Sequence, residues 1–421
     1  MILPPEVIEN IVTNLEYDAR SLAACMLSSR QLSHARVLLF RNVCLASEQA
    51  STRLLRIVAD LPHLIQLIVH IEIRTLAARS AGLGALCALL CGPLDDFGRY
   101  HGAGSLCSVA LIDVHWGASG NCNALLGLLS CSSITSITLH NSNLFADYLA
   151  YLSPNLRTLR FYDGIISSFH PAELGLAPPP ISAPIQPPQI TSLDLMGSTV
   201  GTLTSGHNSL FTFSNSLRTL RIFIEFAFEW NHYFPIFAQH VQPLAPLHTL
   251  SLVFSSRGSV FYRYWPHVSL SLGFDLSNPH FLNLRTLNIY ANTKNDSLPV
   301  CSLIFWIAAT LDQLPPQKSQ LDSVVVHLKL STKSQLANLG LLEDWDRLLV
   351  AVNRFKSLAR LAFVVKIKPR DDPEVETMYN DLAQLVHARL SHRRAAITIK
   401  KDQIMWPPKD VHTSRVFIKP N

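Results

Sequence analysis

The chain is 421 residues long, which exceeds the size at which one compact core keeps growing, so the length favours several domains or an elongated repeat fold. Hydrophobic residues make up 48% of the chain and charged residues only 15%, yet no run reaches the roughly 18 uncharged apolar residues of a membrane-spanning helix. The net charge of +5 is small for this length and does not indicate a protein that binds nucleic acid or membranes through its overall charge.

The first predicted elements are three short helices within residues 1–45. The opening stretch MILPPEVIENIVTNL carries two prolines, which suit a first helical turn, and Glu6, which complements the positive helix end. Because Glu6 and Glu9 interrupt its apolar run, we expect a mature N-terminus rather than a secretory signal. Apolar clusters around Leu22 and Leu39 predict two further helices. A unit this small leans on the repeats or on another protein, because it buries little surface alone.

A short apolar pattern recurs along the rest of the chain: an apolar residue, two free positions, an apolar residue, one free position and an apolar residue. Ten copies begin at residues 68, 106, 134, 156, 190, 217, 247, 284, 321 and 358. Each copy predicts a strand of a parallel sheet whose two closing apolar residues point inward, while the residue between them points outward. Helical apolar spacing in Trp306–Leu314 and Leu341–Val352 predicts connections on the outer face.

Each copy resembles the strand of a leucine-rich repeat, and three copies share the string LRTL. The asparagine or cysteine that closes that family's motif is missing from most copies, and Asn292 is the nearest to it. The resemblance implies an α/β fold in which an irregular leucine-rich-repeat solenoid with a curved parallel sheet occupies residues 46–400. An α/β sheet with crossover helices uses the same units, but the even spacing of the last four copies favours the solenoid.

Two segments fall outside this rhythm. Residues 171–189 carry seven prolines and are predicted to be a loop inserted between repeats, with a ligand for a proline-binding domain as the alternative. Residues 401–421 are predicted to form a C-terminal tail. The basic residues near this end are mixed with acidic ones and lack interleaved stacking aromatics, so they do not match a nucleic-acid interface.

The residue between the two closing apolar residues of each strand defines what we call the intervening row. In the middle strands this row is polar and mixed in sign, which suits recognition of a protein better than recognition of a phosphate backbone. We expect a target protein to bind there, with a solvated charge ladder as the alternative. The candidate target-binding residues are Arg160, Asp194, Arg221 and Asn288.

The sequence contains none of the catalytic motifs that we searched for: no GxxxxGK[ST] loop, no HExxH, no GxSxG elbow and no complete GxGxxG. The eight cysteines form no CxxC pair, and we expect them to be free, buried thiols. These absences predict a protein that is not an enzyme and that carries neither a cofactor nor a metal.

The N-terminal 45 residues resemble an F-box, the adaptor-binding module of ubiquitin-ligase substrate receptors. The residues that carry this resemblance are Leu3, Pro4, Glu6, Ile8, Ile11, Leu15, Leu22 and Arg30. In that family the leading Leu-Pro pair and the apolar helix faces bind a Skp-family adaptor, which docks on a cullin scaffold. The resemblance implies that the adaptor-binding residues are Leu3, Pro4, Val7, Ile8, Ile11, Leu15 and Leu22.

An N-terminal F-box followed by degenerate leucine-rich strands is similar to the layout of a large group of fungal F-box-like proteins. It implies a non-catalytic substrate-recognition subunit of an SCF-type ubiquitin ligase, located in the cytoplasm, the nucleus or both, that binds an unknown target protein. A repeat scaffold without a role in ubiquitylation remains an alternative, as does an N-terminal cap that only shields the first repeat. A nucleic-acid-binding solenoid would require salt-dependent affinity carried by the C-terminal basic residues.

Overall fold

The computed structural model describes residues 21, 24, 33–92, 105–115, 121–145, 148, 151–162, 165–167, 188–196, 216–224, 247–254, 281–292, 301–316, 319–330, 342–367, 373–390, 396–401 and 416–417. The chain divides into two compact units, residues 1–190 with 405–421 and residues 191–404. Almost all of the first two predicted helices, of the proline-rich segment 171–189 and of the tail 401–421 lie outside the described residues.

The elements alternate between strands and helices along most of the chain. In chain order they are α1 (Ser33–Arg41), β1 (Asn42–Leu45), α2 (Glu48–Asp60), a 3-10 helix (Pro62–Leu67), β2 (His70–Arg74), α3 (Thr75–Ala78), α4 (Ala81–Cys91), β3 (Ser108–Ile112), α5 (Cys122–Ser130), β4 (Ser136–His140), β5 (Asn143–Phe145), β6 (Thr158–Tyr162), β7 (Ile165–Ser167), β8 (Ser192–Met196), β9 (Thr219–Ile224), β10 (Thr249–Phe254), β11 (Thr286–Asn292), α6 (Cys301–Gln313), β12 (Ser323–Leu330), α7 (Leu342–Asn353), β13 (Arg360–Ile367), α8 (Pro373–Leu390), β14 (Ala396–Lys401) and β15 (Val416–Phe417).

In the first unit, a parallel sheet has the strand order β15-β1-β2-β3-β4-β6, and β5 pairs with β7 in a small separate parallel sheet. The four predicted copies between residues 68 and 161 form β2, β3, β4 and β6. β5 and β7 were not predicted, and neither were two strands of the larger sheet. β1 comes from the last residues of the N-terminal module, and β15 comes from the tail and pairs with β1 through Val416 and Phe417.

In the second unit, a parallel sheet has the strand order β8-β9-β10-β11-β12-β13-β14, which is the order of the strands in the sequence. The remaining six predicted copies form β8 to β13. Each repeat therefore adds one strand beside the previous one. A doubly wound α/β sheet would instead reverse its order at a switch point. The arrangement resembles a leucine-rich-repeat solenoid.

The apolar positions of the repeat form the core. The first apolar residue of every copy is buried, from Ile68 to Leu358, and so are the last apolar residues. The helices cover this face: α2 packs on α4 and α4 on α5 in the first unit, and α6 packs on α7 in the second. On α7, the buried Trp345 ring lies 5.8 Å from the ring of Phe363 on β13. Burying such side chains contributes about 1.5–3 kcal/mol each, which holds the strands against the helices.

Candidate target-binding face

The intervening row exists as predicted, because the pairing register brings the same repeat position together in successive strands. In the first unit, Glu72 pairs with Ala110, Ala110 with Thr138, and Thr138 with Arg160. In the second unit the paired residues, in strand order, are Asp194, Arg221, Ser251, Asn288, Val325 and Ala362. The two units therefore present the row separately, with Arg160 in the first and the other three candidate residues in the second.

The structure joins two of the candidate residues directly. Arg221 Nη1 lies 3.4 Å from Asp194 Oδ2 on the adjacent strand. Asn288 lies two strands from Arg221, and its Nδ2 donates a hydrogen bond of 3.1 Å to Ser251 Oγ. The polar residues of the row across β8 to β11 thus form two bonded pairs, Asp194–Arg221 and Ser251–Asn288, which together we call the polar ladder.

The expectation that this row points into solvent is wrong for most of it. The Asp194 side chain is only 5% exposed and that of Arg221 24%. Glu72, Thr138 and Ser251 are also buried, and so are the small apolar members of the row. Strands of a sheet lie ~4.8 Å apart, so the side chain on the next strand is close enough to cover a small neighbour. Most side chains of the row are therefore buried against those of neighbouring strands, and the row is not a solvated charge ladder.

In the first unit, Glu72 of the row belongs to a polar cluster whose pairing the sequence did not predict. Arg74 Nε lies 2.8 Å from Glu72 Oε1, and the thiol of Cys44 donates to the same oxygen at 3.2 Å. Beside them, His70 Nδ1 lies 3.0 Å from Ser108 Oγ. The sequence signal was the alternation of polar with apolar residues in HIEIR, but it could not show that the polar residues are buried and paired.

The carboxyl ends of β3 and β4 turn through two residues with left-handed backbone. Asp113 has φ of 55° and Asn141 has φ of 44°. Asn141 Nδ2 donates a hydrogen bond of 2.7 Å to Asp113 Oδ1. Asp and Asn tolerate this conformation better than other non-glycine residues, which explains the residue types. The same turn therefore ends two successive repeats.

Ser142 joins two successive repeats from the position at which the family's motif would carry its closing asparagine or cysteine. It stands three residues after Leu139, and its hydroxyl accepts a 2.9 Å hydrogen bond from the amide of Val114 in the preceding repeat. The same hydroxyl lies 3.1 Å from the carbonyl oxygen of Leu111. The missing asparagine therefore does not leave this junction unsatisfied, and a hydroxyl at this repeat position was the signal in the sequence.

In the sheet of the second unit, two aromatic rings stack two residues beyond the row. The rings of Tyr290 and His327 lie 4.1 Å apart at an interplanar angle of 10°. These residues pair across β11 and β12 and follow Asn288 and Val325 on the same face. The face of the second unit thus offers hydrogen-bonding groups beside a flat aromatic surface, both of which suit binding.

The adaptor-binding residues predicted in the N-terminal module all lie outside the described residues: Leu3, Pro4, Val7, Ile8, Ile11, Leu15 and Leu22. The third predicted helix of the module is present as α1, with Ala35, Leu38 and Leu39 buried and Val37 38% exposed. α1 packs on the 3-10 helix and leads directly into β1, so the end of the module is built into the first repeat.

Six cysteines in the described part of the chain are free thiols. Those that are free and buried are Cys44, Cys87, Cys91, Cys122 and Cys131, while Cys107 is half-buried. Burial raises the pKa of the Cys87 thiol to about 12, and a hydrogen bond with Cys131 together with burial raises the pKa of Cys91. In the described part of the chain, no three His, Cys, Asp or Glu side chains are grouped so as to hold a metal ion.

Comparison with known proteins adds little to this geometry. No protein-family model and no curated protein matches the chain. Among solved structures it is similar to an internalin from Listeria monocytogenes, at 14% sequence identity over 85% of this chain and 95% of that one, with a TM-score of 0.29. A similarity this low carries no argument about function. Strand order and register define the class: a mixed α/β protein with all-parallel sheets that grow by one strand per repeat.

None of the helices in the described ranges is both long enough and apolar enough to cross a membrane.

Proposed function

We propose that this chain is a non-catalytic receptor whose parallel repeats bind a target protein through the intervening row. Three polar members of this row, Arg160, Arg221 and Asn288, are only half-buried, so part of each side chain stays accessible from solvent. Their guanidinium and amide groups are hydrogen-bond donors at one repeat position, and a bound protein can supply acceptors to the accessible groups. That observation carries the proposal.

We further propose that residues 1–45 bind a Skp-family adaptor and, through it, a cullin scaffold. The support is the resemblance of the opening sequence to an F-box, above all the Leu3-Pro4 pair and the apolar stripe through Ile8 and Ile11. The receptor would hold its target near a ubiquitin-conjugating enzyme, so that transfer to a target lysine becomes effectively intramolecular. In this proposal the chain needs no cofactor or metal and works in the cytoplasm, the nucleus or both.

Adaptor binding is tested with the full-length chain and a purified Skp-family adaptor. Ile8→Asp places a charge in an apolar contact and is expected to weaken adaptor binding by at least about thirtyfold. Val350→Asp is the matched control, because it also replaces an apolar residue by aspartate. Val350 is 63% exposed on α7 and lies far from the N-terminal module in the sequence. Equal binding by the Ile8→Asp variant and the wild type would exclude the F-box assignment.

A truncation should end before Ser33. Deleting all of residues 1–45 would remove α1 and β1, including the buried side chains of Val43, Cys44 and Leu45, and would leave the edge of β2 unpaired. Loss of adaptor binding would then reflect damage to the repeats. Deleting residues 1–32 leaves these elements in place and is expected to abolish adaptor binding while the repeats stay folded.

The second candidate function is a repeat scaffold that binds a protein partner without ubiquitylation. The polar ladder Asp194–Arg221–Ser251–Asn288 supports both candidates equally, since it concerns only the target. The adaptor experiment separates them: a chain that binds its target but no Skp-family adaptor is a scaffold.

Target binding needs variants that keep the repeats folded. Once a target has been identified by copurification from the native host and mass spectrometry, Arg160→Ala and Asn288→Ala are expected to release it while thermal stability stays near that of the wild type. Arg354→Ala is the control, because Arg354 is an exposed arginine on the second unit outside the row. Undiminished recovery of the target by both variants would show that the row is not the recognition surface.

A further inference from the structure

The string LRTL, which occurs in three repeats, places an arginine at the same repeat position each time: Arg157, Arg218 and Arg285. In the second unit the residue at this position stands immediately before the strand. Arg218 precedes β9 and Arg285 precedes β11, while His248 occupies the equivalent position before β10 between them. We call these three residues, Arg218, His248 and Arg285, the arginine edge.

The backbone of the arginine edge is fixed by a repeated pair of hydrogen bonds. The carbonyl oxygen of Arg218 accepts from the amides of His248 and Thr249, at 2.9 and 3.0 Å. The carbonyl oxygen of His248 accepts in the same way from the amides of Arg285 and Thr286, both at 2.9 Å. Successive residues of the edge are therefore one strand spacing apart, and the two arginines are separated by roughly 10 Å at the backbone.

The side chains of the arginine edge are available for binding. Arg218 and Arg285 are exposed and His248 is half-buried. Neither guanidinium forms an ion pair or a side-chain hydrogen bond with another described residue. Burial and the two flanking arginines lower the pKa of His248, so the three groups share one positive environment. In the following repeat the equivalent residue is Asp322, which is exposed. Its negative charge limits the positive stretch to the three strands β9 to β11.

We propose that the arginine edge is a second interaction surface, which binds an acidic segment of a protein partner. Each guanidinium group can donate two parallel hydrogen bonds to one carboxylate, and the two groups here stand on a fixed backbone. Residues three apart in an extended chain are also about 10 Å apart, so one segment with acidic residues at that spacing reaches both arginines. The surface is distinct from the intervening row, because its residues precede the strands, and the proposal does not depend on adaptor binding.

An acidic protein segment fits this surface better than nucleic acid does. Single-stranded nucleic acid is held by a basic groove together with aromatic side chains on which bases stack. The arginine edge consists of two arginines and one histidine, and an aspartate follows at the next repeat. A short run of carboxylates matches this limited length of positive charge, whereas a phosphate backbone would meet Asp322 after three strands.

The probe for this proposal is a fluorescein-labelled peptide, Glu-Gly-Gly-Glu-Gly-Gly-Glu, measured by fluorescence anisotropy with the full-length chain. The same peptide with glutamine in place of glutamate reports binding that does not depend on charge. Arg218→Glu with Arg285→Glu is expected to weaken binding of the acidic peptide by about tenfold or more. Arg56→Glu with Arg79→Glu is the matched control, since these exposed arginines of the first unit give the same change in net charge.

The control double variant is expected to bind within about twofold of the wild type. Equal losses in both double variants would overturn the proposal, since net charge alone would then explain binding. A poly(dT) oligonucleotide serves as the competing probe, and tighter binding of it to the arginine edge than of the peptide would also overturn the proposal. Because the reversed variant could fold poorly, Arg218→Gln with Arg285→Gln is measured as well. It is expected to lose affinity with unchanged thermal unfolding, and unchanged affinity in a folded glutamine variant would refute the proposal.

Discussion

The carboxylate of Asp194 and the guanidinium of Arg221 face each other across β8 and β9 at 3.4 Å, and the carboxylate side chain is only 5% exposed. The two residues occupy the same position in successive repeats and pair directly across the two strands. The acidic residue of one repeat is therefore neutralised by the basic residue of the next. A carboxylate buried to this degree is stable only while its partner remains, because an unpaired buried charge is costly.

Replacing Arg221 by glutamate is therefore expected to destabilise the second unit. The change sets two carboxylates against each other on adjacent strands and should lower the free energy of unfolding by about 2–4 kcal/mol. Denaturant unfolding measures the effect. Arg354→Glu is the control: Arg354 Nη1 lies 2.7 Å from Asp312 Oδ1, but both side chains are more than 40% exposed, so the expected cost is under about 1 kcal/mol. Equal costs for the two variants would contradict the burial of Asp194.

Ser142→Ala is expected to destabilise the first unit by about 1–3 kcal/mol, because it leaves the buried amide of Val114 without its acceptor. Thr135→Ala removes an exposed hydroxyl that donates to the carbonyl of Cys107, and its expected cost is only a few tenths of a kcal/mol. Thermal unfolding of the two variants makes the comparison. A Ser142→Ala variant as stable as Thr135→Ala would mean that this hydroxyl does not join the repeats.

Among the described cysteines, Cys107 is expected to react with iodoacetamide well before Cys87 and Cys91. Only the thiolate is nucleophilic, and burial raises the pKa of Cys87 to about 12, so little thiolate forms near neutral pH. Peptide mass spectrometry of briefly alkylated native protein gives the order. Labelling of Cys87 as fast as of Cys107 would contradict the raised pKa and the burial.

The same two thiols predict how stability depends on pH in the alkaline range. The unfolded thiol ionises near its ordinary pKa of about 8.5, while the folded thiols stay protonated, so the folded state binds more protons. The free energy of unfolding is therefore expected to fall as pH rises above about 8.5. In Cys87→Ala with Cys91→Ala this slope should be smaller, and denaturant unfolding across this pH range measures it; an unchanged slope would assign it to other groups.

His248 is expected to titrate below its ordinary pKa of about 6.5, because burial and the two flanking arginines favour the neutral imidazole. Between the folded and unfolded pKa values the unfolded state binds more protons, so this residue's contribution to stability is lost as pH falls below about 6.5. Histidine resonances of the full-length protein report the pKa by NMR. In Arg218→Gln with Arg285→Gln the pKa should rise, and an unchanged value would show that the arginines lie too far away to act.

The strands of the repeats could be predicted from the sequence alone. All ten copies of the apolar pattern form strands, and the intervening row from Asp194 to Ala362 pairs in the predicted register. The predicted helices at Trp306–Leu314 and Leu341–Val352 correspond to α6 and α7. These features were readable because a strand with one apolar face repeats every two residues and a helix every 3.6, so the information lies in neighbouring residues.

The environment of the intervening row was decided only by the tertiary structure. The alternation in SLDLM marks Asp194 as a residue between two apolar ones, but its burial and its pairing with Arg221 depend on a strand 27 residues further along the chain. The short strands β1 and β15 pair residues from opposite ends of the sequence, with no periodic signal in a two-residue strand. Such pairings depend on the tertiary structure. The neighbouring strand and the side chains that bury each residue come from segments remote in the sequence, which local patterns do not specify.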